Sequence, residues 1–166
     1  MTIPQLFASM SPSLASQILE ELYTTQKDLY RSTMYGVAHA TKVRPVFLER
    51  LTHPDRHRKM QAGLGRHDMT ATTANILTTW LVKTQNQLLC DFLDSLKIKH
   101  EQGVVEELPP SMDDDSLLNA LETVLAKHPH EIVGVYLHAF DVMNETRWPN
   151  LQALLEADPR LKLGGN

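Results

Sequence analysis

The chain of 166 residues has a single cysteine, Cys90, so no disulfide can form within it. A chain without disulfides points to a reducing compartment. Lysine and arginine are missing before Lys27, which leaves the start without the basic segment of a secretory leader. No apolar run approaches the roughly 18 residues that a membrane-spanning helix needs. These absences lead to the expectation of a cytoplasmic protein that does not enter a membrane. Strand-like alternation never persists beyond four residues, and neither a fixed-period repeat nor a low-complexity tract is present.

Catalytic signatures are missing as well. There is no Gly-x-Ser-x-Gly, and the acidic neighbours Asp91 and Asp94 would discourage a thiolate at Cys90. Gly63-Leu64-Gly65 lacks the third glycine of a dinucleotide loop and does not follow a strand. No Gly-Lys-Ser/Thr, His-Glu-x-x-His or Glu-x-x-His occurs. No cofactor is expected on these grounds, and a non-enzymatic role is favoured over an enzymatic one.

What remains is an ordinary globular composition, 42% hydrophobic and 22% charged. A chain of this length can bury roughly 70% of its unfolded surface, so a metal or disulfide staple is not required for a core. The apolar residues recur at helical spacing nearly throughout. The expected fold is therefore all-α, an irregular bundle of about six or seven helices.

Two of those helices are expected to be long. Ser11-Pro12 opens one, whose stripe Leu14, Ile18, Leu22, Leu29 and Met34 carries it over about 12–35, with Gly36 weakening it. The stripe Leu77, Leu81, Leu88, Phe92 and Leu96 predicts the other over about 69–96. Its threonines form helix poorly, so packing must hold it. Arg44-Pro45 starts a short apolar helix through Leu51. Thr52-His53-Pro54-Asp55 resembles a capping box, opening a helix that should end near Gly63.

Residues 97–112 read as a linker, with a turn or small hairpin at Gly103-Val104-Val105 and helix excluded at Pro109-Pro110. Ser111 and Asp114 suggest a second capping box. The short connection Lys127-His128-Pro129 implies an antiparallel helical hairpin, whose second helix, about 130–143, is apolar nearly all round. A last short helix opens at Trp148-Pro149 and stops at Asp158-Pro159, and the Gly164-Gly165-Asn166 end should fray. The whole forms one domain over 1–166, with a subdivision into 1–96 and 113–160 joined by loop 97–112 as the alternative.

Charge is unevenly spread. Residues 42–67 hold seven bases and two acids, or +5, whereas residues 100–166 hold four bases and twelve acids, or −8. The segment THPDRHRKMQAGLGRH, residues 52–67, concentrates three of the eight histidines. His53 and His57, four apart, can share one helix face as metal ligands do. His67 or Asp55 could complete a site only by accident of folding, and Arg56, Arg58, Lys59 and Arg66 would repel an ion. The reading is therefore a capped, exposed helix, with Asp55 and Lys59 spaced to pair, and no metal site. His138, on the apolar helix near Asp141, reads as a core histidine bonded to a carbonyl or to that acid.

Three functions fit. The first is a non-enzymatic helical interaction or regulatory domain, whose partner is another protein or a second copy; acidic residues 101–122 would dock on the basic 42–67 of a neighbour. The second is a ligand or anion binder, or a hydrolytic enzyme, with a His/Arg site around 53–67. Its candidate residues are Arg56, His57, Arg58, Lys59, Gly65, Arg66 and His67, the glycine-lined turn before a helix start being the natural anion seat. The third is nucleic-acid binding through 42–67, the least favoured, because no aromatic residue between Phe47 and Trp80 could stack a base.

Overall fold

A computed structural model describes residues 1–164 and shows an all-α protein with ten α-helices among them. The helices are α1 (Ile3–Ala8), α2 (Pro12–Thr25), α3 (Lys27–Ala40), α4 (Pro45–Glu49), α5 (His53–Leu64), α6 (Thr70–Thr84), α7 (Asn86–Ser95), α8 (Asp114–Lys127), α9 (His130–Met143) and α10 (Pro149–Ala157). None among the described residues is long and apolar enough to cross a membrane. The expected fraying reaches Gly165 and Asn166, which lie outside the described residues. The chain clusters into two compact units, Met1–Leu77 and Thr78–Asn166, divided within α6 rather than at the 97–112 loop.

Neither long helix is continuous. The first breaks at Gln26, whose φ of −134° and ψ of 59° are not helical. Neither Gly nor Pro marks this break. Thr24 and Thr25 precede it, and their hydroxyls bond back to the carbonyls of Glu20 and Glu21, a contact that bends helices. The break lets α2 and α3 pack on each other instead of extending in line. Helix α3 then continues past Gly36 to Ala40. The second expected helix breaks at Gln85, following Thr84, into α6 and α7. The helix count is accordingly higher than expected.

In the first unit, α2 packs on α3 and α5, α1 on α5, and α4 on α3 and α5. Leu6, Phe7, Ile18, Leu19, Leu48, Met60 and Leu64 form its core and are essentially inaccessible. The unforeseen α1 carries its own start signal, a capping box in which Thr2 and Gln5 bond each other's backbone amides. Ser11 and Thr52 cap α2 and α5 as their positions suggest. Helix α5 runs to Leu64, one residue past Gly63. That glycine sits inside the helix because Val37 presses on it: a Cβ there would lie 2.5 Å from Val37 Cγ1.

In the second unit, α7 packs on α8, α8 on α9, and α9 on α10. The hairpin at His128-Pro129 forms as expected. The cap of α8 is Asp113, not Ser111: its carboxylate accepts the Ser116 amide at 2.8 Å. The helix starts later because Asp113 supplies a charged acceptor at the point where the chain leaves its extended conformation. The 97–112 loop holds the expected turn, with Gln102 and Gly103 at positive φ closing a bridge between Glu101 and Val104. His138 Nε2 lies 3.2 Å from the Leu161 carbonyl, the carbonyl partner expected of it, with the residue half-buried rather than in the core. Asp141 is instead bonded to Arg147 and Gln152.

Candidate functional site

Helix α5 has an inner face made of Arg56, His57, Met60, Gly63 and Leu64. His57 and Arg56 are therefore interior groups, 2% and 9% exposed, and the expectation of a wholly exposed helix is corrected here. The inner face meets α2, whose residues Ser16 and Glu20 stand four apart and share one side. Tyr30 reaches the same point from the start of α3.

These residues form one connected cluster. His57 Nδ1 lies 3.0 Å from Ser16 Oγ, and His57 Nε2 lies 3.0 Å from the Tyr30 hydroxyl. Tyr30 in turn accepts from Arg56 Nη1 at 3.5 Å. A consistent proton assignment follows from the partners. Arg56 donates to Tyr30, Tyr30 donates to Nε2, and Nδ1–H donates to Ser16. His53 Nδ1 lies 2.9 Å from Glu20 Oε2, and the same oxygen lies 3.9 Å from His57 Nε2. Edge-on ring contacts of Tyr23 with His53 and Tyr30, at 4.6 and 5.1 Å between centroids, brace the outer side.

Burial controls the protonation of this cluster. It pushes the His57 imidazolium down to about 4, against the opposing attraction of Glu20, so the ring is neutral at pH 7. Burial also raises the Tyr30 phenol above its ordinary range, against the Arg56 contact, so it remains a donor. His53 and Glu20 sit at the rim, 36% and 47% exposed. The cluster is thus closed beneath by Ser16 and Tyr30 and open at one edge.

Arg56 acts on the helix beside the cluster. Its guanidinium donates to the carbonyls of Leu48 at 2.9 Å, Glu49 at 2.6 Å and Leu51 at 3.4 Å, all at the end of α4. Free carbonyls at a helix C-terminus favour a cation there. By holding this end, Arg56 and the buried Leu48 fix α4 with its other side outward. Val46 and Phe47 on that side are 43% and 47% exposed. They adjoin a cavity of about 450 Å3 bounded also by Val43, Arg44, Arg50 and Leu51.

The other expected site residues are dispersed. Arg58 and Lys59 lie on the exposed side of α5. Asp55 pairs with Arg58 at 3.1 Å, three residues on, in place of the expected pairing with Lys59. Gly65 ends α5 where a Cβ would meet Ala8 Cβ at 2.9 Å, a packing reason for the glycine. Arg66 makes a two-point bond with Asp68, at 3.0 and 3.1 Å, and His67 is exposed in the 3-10 turn before α6. Gly65, Arg66 and His67 are thus not gathered with Arg56 and His57. Sequence reasoning missed Glu20, Ser16 and Tyr30, which are distant in sequence from α5. In comparisons with family models, curated proteins and solved structures, the chain matched none.

Proposed function

We propose that the chain is a non-enzymatic helical interaction module, that its docking face is α4, and that its partner is a second copy of the chain. The observation that carries this reading is the adjoining pair Val46 and Phe47, exposed between Arg44 and Arg50. Single exposed apolar residues are ordinary on protein surfaces. An aromatic flanked by arginines beside a concavity has the composition of an interface hot spot.

A surface of opposite character lies in the second unit. Val104 is 52% exposed and lines a cavity of about 680 Å3 where the acids Glu101, Glu106 and Glu107 outnumber the one base, Lys99. Between copies, the apolar centres would meet while the basic rim faces the acidic one. The two surfaces differ, so the contact would be head-to-tail and give rings or open chains. A nucleic-acid partner is less well supported. Arg56 is bonded to carbonyls, and Arg58 and Arg66 are bonded to carboxylates, which removes three of the seven bases of 42–67 from a phosphate-binding role.

Sedimentation velocity of the full chain tests the reading. The weight-average mass should rise above the 18.8 kDa of one chain as concentration approaches about 100 µM at low salt. Phe47→Asp should return it to that of a monomer. A single monomeric species at every concentration would refute the proposal, and so would self-association unchanged in Phe47→Asp.

A further inference from the structure

We infer that Glu20, His53 and His57 bind one divalent transition-metal ion of the zinc class through Glu20 Oε2, His53 Nδ1 and His57 Nε2. This site is independent of the α4 docking face. The three donor atoms lie within 4.8 Å of one another. Donors placed about 2.1 Å from a tetrahedral ion stand about 3.4 Å apart. The Glu20 oxygen lies 2.9 Å from one nitrogen and 3.9 Å from the other, on either side of that value. The two nitrogens lie within 4.8 Å of each other, so rotation of the Glu20 and His53 side chains at the rim toward His57 is what would close the set on an ion.

The surroundings of His57 match what a ligating histidine needs. Such a ring offers one nitrogen to the ion and donates its other N–H to an outer partner that fixes its orientation. Ser16 Oγ occupies that outer position, 3.0 Å from Nδ1. The Tyr30 hydroxyl, now facing Nε2, would yield that lone pair to the ion and donate to Glu20 or to a metal-bound water. Two neutral imidazoles and one carboxylate carry a single negative charge, and nitrogen–oxygen donor sets of this kind suit zinc and its first-row neighbours. Glu20 and His53 stand at the open rim, which gives the ion an entrance and leaves a coordination position for water. Of the cations expected to repel a metal, Arg58 is paired with Asp55, and Lys59 and Arg66 are exposed; Arg56 keeps its charge beside His57, where the Glu20 carboxylate opposes it.

The test is calorimetric titration of Zn2+ into the tag-free full chain after chelator treatment, followed by visible absorption of the Co2+ form. The expected result is one ion per chain with Kd below about 10 µM. Co2+ should give d–d bands that Zn2+ abolishes. Glu20→Gln and His53→Asn, both at the surface, should each weaken binding at least about tenfold without loss of helical circular dichroism. Ser16→Ala should weaken it about tenfold through the orientation of His57. His67→Asn, an exposed histidine elsewhere, should leave affinity unchanged. The rim variants decide the outcome even where His57→Asn fails to fold. Absence of binding at about 100 µM Zn2+ overturns the inference. So does binding that survives both rim substitutions, or an equal loss in His67→Asn.

Discussion

Replacing Tyr30 by Phe removes one oxygen from the buried cluster and keeps the ring. That oxygen is the donor facing His57 Nε2 and the acceptor for Arg56 Nη1. Arg56 keeps its three carbonyls through Nε and Nη2, and its Nη1 loses only a long contact of 3.5 Å. His57 is 2% exposed, and water cannot readily replace the missing donor. A buried acceptor left without a partner costs about 1–3 kcal/mol, and we expect about 2 kcal/mol here. For a chain of this size that corresponds to a fall in Tm of about 4–8 °C. Urea denaturation followed by circular dichroism, with chelator present, measures the difference. Tyr23→Phe is the control, because Tyr23 is 39% exposed and its change should stay within about 0.5 kcal/mol. A Tyr30→Phe protein within about 0.5 kcal/mol of wild type would refute the cluster as a connected buried network.

Three further outcomes are expected in the same assay. Gly63→Ala should destabilise by about 1 kcal/mol net, overpacking against Val37 outweighing the better helix propensity of alanine, and Val37→Ala should partly relieve it in the double variant. Thr33→Val should stabilise by about 1 kcal/mol, because the Thr33 hydroxyl is buried without a partner and valine has the same shape. Asp91 is pushed up by burial, but hydrogen bonds from His128 and Gln87 prevail and hold its carboxyl below the usual 3.8. Its contribution is therefore present above pH 3.8 and lost as pH falls through the lower folded value. Asp91→Asn should cost about 1 kcal/mol at pH 7, and its gap to wild type should narrow below that range.

The helical character was legible because apolar residues recur at helical spacing in most segments. Gln26 and Gln85 were not legible as breaks, because neither is a residue that forbids helix and each only follows threonines, which form helix poorly. Helix α5 shows a second limit. Its buried positions, 56, 57, 60, 63 and 64, have a helical period, but Arg, His and Gly at three of them conceal an apolar stripe. The spacing of His53 and His57 announced a shared face. Their third neighbour, Glu20, lies 33 residues before His53 and reaches it only through the packing of α2 on α5. The repulsion expected from Arg56 persists beside His57, but it is opposed by the Glu20 carboxylate, whose approach could not be read from position in sequence.

The central claim, that the basic apolar face of one copy docks on the acidic apolar face of another, is tested most directly by exchanging the charges. Arg50→Glu and Glu106→Lys should each sediment as monomers at a concentration where the wild type associates. An equimolar mixture should associate again, since every reversed face then finds its complement. The account predicts that recovery, weakened by salt as the Debye length falls below about 10 Å. Two monomeric variants that stay monomeric when mixed, or single variants that associate as the wild type does, would contradict it.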